Sequence, residues 1–180
     1  MEYFDAYNER GEKIGEVVSR NQAHEQGIWH ATIHVWIINS KQELLIQRRS
    51  PEKESNPGMW GVASVGGHIS AGDDAITTAI RETEEELGLV ITGKELEYLF
   101  TTPHQQVLNK GTYISNHFDN SYLVEKDIDS NNLKLQTGEV SEVKWIHFTD
   151  LEQLIQQRNP EFVENGEYEK LFPLLHRRYL

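Results

Sequence analysis

GHISAGDDAITTAIRETEEELGL, residues Gly67 to Leu89, is the stretch on which the reading of this chain turns. From Asp73 to Leu87 the pattern is helical, and Gly88 is well placed as a C-terminal cap. On a helix wheel at about 100° per residue with Glu82 as zero, Glu85 falls near −60° and Glu86 near +40°. These carboxylates therefore share an arc of roughly 100°. Thr83, Ile76, Leu87 and Ile80 fall between about 100° and 160°, as a separate apolar stripe. One face packs and another collects negative charge. Like charges at these spacings cost about 0.2–0.5 kcal/mol per pair on an exposed helix. They also occupy its last two turns, where the macrodipole disfavours anions. A hard divalent cation such as magnesium relieves both penalties, because it takes carboxylate oxygens. Glu84-Glu85-Glu86 taken alone is equally what a solvated helix face shows.

Outward from this helix the chain alternates. Toward the N-terminus, Trp60 to Val65 is expected to be a short strand ended by Gly66-Gly67, after a loop with Pro51 and Pro57-Gly58. Glu43 to Arg49 is a strand, and so is Trp29 to Asn39, where Ala31, Ile33, Val35 and Ile37 form the core face. Asn8-Glu9-Arg10-Gly11 turns a hairpin within residues 1–20. Toward the C-terminus, strands are expected at Leu96–Thr102, Tyr113–Val124 and Val143–His147. A short helix is expected over Leu151–Gln156, with Thr149-Asp150 at its start, and a helical segment over 161–180 broken by Pro173. The order implies an α/β (α+β) fold: a mixed β-sheet sandwiched between helices, with an N-terminal β-hairpin, in one domain over 1–180 whose core spans about 29–158.

Composition narrows the function. The net charge is −12, from 29 acidic and 17 basic side chains, which excludes the broad basic face that non-specific nucleic-acid binding needs. A phosphate substrate must then find its positive charge in a few arginines or a bound metal ion. Zero cysteines exclude a disulfide framework, a thiolate zinc site and a cysteine nucleophile. No apolar run approaches the ~20 residues of a membrane helix, and Met1-Glu2-Tyr3-Phe4-Asp5 shows no secretory leader. The expected location is cytoplasmic.

The opening stretch resembles the Nudix box: G, five residues, E, seven residues, then R-E-U-x-E-E-x-G-U, with U apolar. Gly67, Arg81, Glu82, Glu85, Glu86, Gly88 and Leu89 match in register. Asp73 stands where the box has its first glutamate, and Thr83 where it has an apolar residue. Gln47-Arg48-Arg49, Pro57-Gly58-Met59-Trp60 and Glu139-Val-Ser-Glu142-Val-Lys-Trp145 look like further family elements. The resemblance implies a magnesium-dependent hydrolase, with manganese able to replace magnesium, acting on a small nucleoside-diphosphate-like compound. Glu82, Glu85 and Glu86 would be the metal ligands, joined by the Gly67 carbonyl. Asp73, Arg81 and Gly88 would support the box. Glu139 resembles a late glutamate that binds metal or acts as base, and is otherwise an ordinary surface residue. The implied reaction is attack of water on phosphorus, with Glu86, Glu139 or Glu82 taking the proton. Arg48 and Arg49 are candidates to hold phosphate, and strand alternation lets one of them face the site. Trp60, like Trp36, is a candidate to stack on the substrate or an ordinary packing residue.

A narrower likeness is to isopentenyl-diphosphate isomerase. Ala23-His24, Trp29-His30 and Gly67-His68 resemble its metal-binding histidines, but Gly66 stands at its cysteine and no clear glutamate completes the proton-transfer pair. His24, His30 and His68 form a second metal site or a set of hydrogen-bonded structural histidines. His30 and His34 lie ~13 Å apart on a strand and cannot share an ion. A nucleotide-sensing module without catalysis is the remaining class.

Overall fold

Strand β3 (His30–Ile38) runs through the centre of the molecule. It lies parallel to β7 (Tyr113–Glu125) along its whole length, from His30 opposite His117 to Ile38 opposite Glu125. On its other side it meets β4 (Glu43–Arg49) at one register pair only, Ile38 with Leu44, beyond a turn in which Asn39 N–H bonds the Glu43 carbonyl. The two strands then diverge, and β5 (Val65–His68) takes the vacated edge of β3, with His34 opposite Gly66 and Ile33 opposite Gly67. This divergence opens the cleft described below. The computed structural model describes residues 1–180.

The main sheet runs β6 (Glu97–Leu108), β7, β3, β4, β8 (Val140–His147), with β5 on β3. Helix α2 (Ala75–Leu87) covers one face, where Ala79 and Leu87 pack with Ala31, Ile33, Val35, Ile37 and Leu45. Helices α3 (Phe148–Gln156) and α4 (Tyr168–Tyr179) cover the other, over Trp36, Ile38, Leu44 and Ile46. The N-terminal hairpin β1 (Tyr3–Tyr7) and β2 (Lys13–Ser19) turns at Asn8, whose Oδ1 accepts from Arg10 N and Glu12 N. Phe4, Ala6 and Val18 enclose a small third core with Ala23 of α1 (Arg20–Gln26). The mixed sheet between helices and the hairpin are those expected.

Several details differ from expectation. Helix α1 was not anticipated, although Ser19 and Gln22 form a reciprocal capping box and Gly27 closes its end. Both faces of β3 are buried, because helices cover the sheet on each side, so His30, Thr32 and Trp36 are interior as well as the expected aliphatic set. Strand β5 lies at Val65–His68 rather than Trp60–Val65. Gly66-Gly67 continues the strand by pairing with His34 and Ile33, whereas Trp60 makes only isolated bridges to Arg48 and Phe162. Strand β6 extends through Pro103 to Leu108, which an edge strand tolerates. Strand β8 begins three residues early, at Val140. Pro173 does not break α4 but sits inside it on the exposed side, and residues 161–167 precede the helix. Ile76 is exposed rather than packed. The buried face of α2 is Thr78, Ala79, Thr83, Glu86 and Leu87, so the packing face and the acidic face overlap.

Candidate active site

Helix α2 is built to aim its second half at the sheet. Asp74 caps its start, accepting from Thr77 N at 2.9 Å, while Asp73 remains exposed at the preceding turn. Gly88 ends it at φ +64°, where its N–H bonds Glu84 O and a Cβ would stand 2.8 Å from Lys134 Cβ. Thr83 is buried without cost to its hydroxyl, which donates to Ala79 O at 2.7 Å.

Glu82, Glu85 and Glu86 share this half of the helix but not one environment. Arg81 Nη1 lies 3.0 Å from Glu82 Oε1 and 3.1 Å from Glu85 Oε2, so it bridges two of them. The Glu85 carboxylate is half exposed; that of Glu82 is largely covered. A Cβ on Gly67 would stand 2.5 Å from Glu82 Cδ and 2.8 Å from its Oε1, so only glycine lets the carboxyl lie against the β5 main chain. Burial pushes the Glu82 carboxyl up to about 6. Glu86 is 5% exposed and accepts one hydrogen bond, from Gln47 Nε2 at 3.1 Å. Burial first, and then the neighbouring Glu82 charge, push it up to about 8. Glu139, in the approach to β8, pairs with Lys53 Nζ and contributes to the field on Glu86.

The two arginines of β4 part company as strand alternation requires. Arg49 lines the cleft, fixed by Nε to Ser55 O and Nη2 to Ser55 Oγ, both at 2.9 Å. Arg48 points the other way, donating to Gly58 O at 2.8 Å and lying 5.9 Å from the Trp60 ring. Trp60 is in the core against Phe162, with Lys144 over its ring, and does not line the cleft. The cleft holds Arg20, Arg49 and Lys53 against a single lining carboxylate, Glu54, so an acidic chain keeps a locally cationic cavity.

Two three-residue groups elsewhere converge until their ligand atoms all lie within 4.8 Å of one another; Glu82, Glu85 and Glu86 do not form such a group. The first is His24, His30 and His68. His30 Nδ1 bonds Ile28 O at 2.9 Å, leaving a buried Nε2 with no partner. His24 Nδ1 bonds Ile114 O at 3.1 Å, with Tyr113 Oη at its Nε2. Burial lowers all three, His30 to about 3, so they are neutral imidazoles. The second group, His34, Asp119 and Glu167, escaped sequence reasoning. Asp119 at an interior position of β7 was a faint signal, while Glu167 stands 133 residues from His34, and no local pattern joins them.

The acid-bearing helix thus lies against the glycine strand β5, whose Gly67 also lines the cationic cleft. The chain belongs to the Nudix family: the NUDIX domain model matches residues 28–166. It is similar to Nudix hydrolase 3 of Arabidopsis thaliana, at 39% identity over 98% of this chain but only 24% of the plant protein. An uncharacterized Nudix hydrolase of Listeria monocytogenes is 30% identical over 97% of this chain and 95% of its own length. An isopentenyl-diphosphate isomerase of Pectobacterium atrosepticum is 32% identical over 57% of this chain and 55% of that enzyme. A Deinococcus radiodurans crystal structure shares the fold with a TM-score of 0.68, at 24% identity over 99% of this chain and all of that one. No helix is long and apolar enough to cross a membrane.

Proposed function

We propose that this chain is a magnesium-dependent hydrolase of a diphosphate linkage in a small nucleoside-diphosphate-like molecule. The observation that carries the reading is Glu86: a carboxyl buried beside Glu82, with no lysine or arginine paired to it, whose one hydrogen-bond donor, Gln47, lines a cationic cleft. Such a group is costly until a cation meets it. Glu82, Glu85 and Glu86, which do not yet converge and of which two are bridged by Arg81, would close on that ion with the Gly67 carbonyl, and the Gly67 surface left bare for Glu82 suits the arrangement. Bound there, magnesium supplies charge to phosphoryl oxygens and acidity to water. Manganese fits the same oxygen donors.

In the proposed reaction, an oxygen–phosphorus bond forms from water and the bridging phosphorus–oxygen bond breaks. Glu86 is the proton acceptor, since Glu82 is engaged by Arg81 while Glu86 meets only the neutral Gln47 amide. Glu139 is held by Lys53, which leaves it a weaker candidate for the base. Arg49, already oriented by Ser55, meets charge on the departing phosphate. Arg48 and Trp60 take no part.

The trio His24, His30 and His68 offers nitrogen ligands for a transition-metal ion, distinct in chemistry from the oxygen site. The isomerase reading is disfavoured at Gly66, where the isomerase has cysteine, since the chain holds no cysteine to move a proton on carbon. Purified protein should release phosphate products from nucleoside diphosphates and their conjugates only with magnesium or manganese present. Tight binding without turnover would replace the hydrolase by a sensor, and deuterium exchange into isopentenyl diphosphate would restore the isomerase.

A further inference from the structure

The inner wall of the cleft is built around a group that the proposed chemistry does not use. His34 projects from β3 with its Nδ1 2.5 Å from Glu167 Oε2. Glu167 is fully buried and accepts from Trp36 Nε1 and Ser121 Oγ as well. Asp119, also fully buried, accepts from Thr32 Oγ1 and from the Asn165 amide, and His117 Nδ1 stands 2.7 Å from it without the alignment of a hydrogen bond. Both carboxylates are thus already surrounded by protein donors. That suits them to holding a protonated imidazole and leaves little for a metal ion. Their combined field pushes His34 up to about 9 despite its burial.

The other ring nitrogen is free. The carboxylate oxygen nearest His34 Nε2 is Asp119 Oδ1 at 4.0 Å, too far for a hydrogen bond, and the ring lines the cleft. With Nδ1–H given to Glu167, Nε2 is the ring's uncommitted polar atom facing the cavity, an acceptor in the neutral ring and a donor in the charged one. The cleft around it is polar: His104, His117, Gln106, Ser115 and Asn165 share the lining, and its aliphatic members are Val62, Leu108 and Val163. Tyr113 spends a ring face on His24, at 4.1 Å between centroids. Such walls suit hydroxyl oxygens better than an isoprenoid chain, which would leave buried donors and acceptors unpaired.

We propose that the inner end of the cleft is a subsite for a sugar attached to the diphosphate, with His34 Nε2 as the specificity-determining partner of a sugar hydroxyl, which can both donate and accept. The assignment rests on the diphosphate reading above for the orientation of the substrate, and on the histidine wall for its own content.

Ribose 5-diphosphate and isopentenyl diphosphate carry the same phosphate charge and differ in the attached group. Calorimetric titration of the metal-free chain with each isolates binding from turnover. Roughly tenfold tighter binding of the ribose compound is expected, shrinking to within about threefold in His34→Asn. Melting curves verify that the variant folds; if it does not, the wild-type preference decides alone. With magnesium, the same preference is expected in KM rather than kcat. Equal affinities, or none measurable for either compound, overturn the subsite. Turnover without discrimination removes the subsite and leaves the hydrolase standing. Discrimination without turnover does the reverse.

Discussion

Gln47 and Glu86 meet inside the protein, the amide Nε2 donating to the carboxyl Oε2 at 3.1 Å, between β4 and α2. The amide is neutral, so nothing in the contact balances Glu86 when it ionises. Glu86→Gln removes that charge and keeps the shape. Turnover should fall by about 10²–10⁴-fold if Glu86 accepts the proton. In chelator, the variant should melt at or above the wild-type temperature at pH 8, since an uncompensated buried carboxylate is gone. Steady-state rates and thermal melts report both, and a variant with more than a tenth of wild-type turnover removes Glu86 from the chemistry.

The raised carboxyl and the raised imidazole predict how the metal-free fold responds to alkali. Glu86 stays protonated in the folded chain up to about 8, whereas the unfolded chain loses that proton near 4.5. His34 holds its proton up to about 9 when folded and near 6.5 when unfolded. In both cases the folded state binds more protons across the interval, so stability falls as pH rises. Between pH 6.5 and 9 the melting temperature in chelator should therefore decline. Magnesium competes with the Glu86 proton, so its stabilising increment should grow over the same range. A flat profile, or an increment independent of pH, contradicts the placement of the ion beside Glu86.

Gly67→Ala tests the other wall of the acidic site. The new methyl would overlap the end of the Glu82 side chain, which is flexible, and no main chain lies among its nearest neighbours. Folding should survive with a loss of about 1–3 kcal/mol. The displaced carboxylate should weaken magnesium activation, raising the half-activating concentration by about tenfold or more. Unchanged magnesium dependence would show that Glu82 needs no contact with β5.

The histidine trio predicts a second kind of metal binding. His30 Nε2 is buried with no partner, and His24 Nε2 meets only the Tyr113 hydroxyl, whose rotation would release the lone pair to an ion. Cobalt(II) should bind with a visible ligand-field band at one equivalent, and His68→Ala should abolish the band. An unaltered spectrum in that variant returns the three residues to a structural role.

The acidic helix was legible because its evidence is local. Glu82, Glu85 and Glu86 repeat at helical spacing, and Gly88 stops the helix where the spacing ends. The exposure of Ile76 was not legible, because a wheel orders residues by angle without saying which arc the sheet covers. Helix α1 had a signal in Ser19, Gln22 and Gly27, overshadowed by its brevity. Gly66 and Gly67 suggested a strand end by propensity, yet both pair with β3, and the Glu82 side chain leaves Gly67 no space for a Cβ. The separation of Arg48 from Arg49 followed from the two-residue strand period. Which of them met the cleft depended on β3 and β4 diverging after Leu44, a property of the whole sheet.

Glu167 ties the C-terminal segment to the central strand and should be among the costliest positions to truncate. It lies just before α4 and receives Trp36 Nε1 and His34 Nδ1 from β3 and Ser121 Oγ from β7. Glu167→Ala leaves three interior donors without an acceptor and deprives His34 of a counter-charge. A loss of about 3–5 kcal/mol is expected for one broken buried pair. At about 2–4 °C per kcal/mol for a chain of this size, the melting temperature should drop by roughly 10 °C. Glu167→Gln keeps an acceptor oxygen for Trp36 but not the charge, so its loss should be smaller. The two variants then separate hydrogen bonding from charge: equal losses assign the stabilisation to the ion pair with His34, and an alanine variant melting within about 2 °C of wild type would show that this network does not anchor the segment.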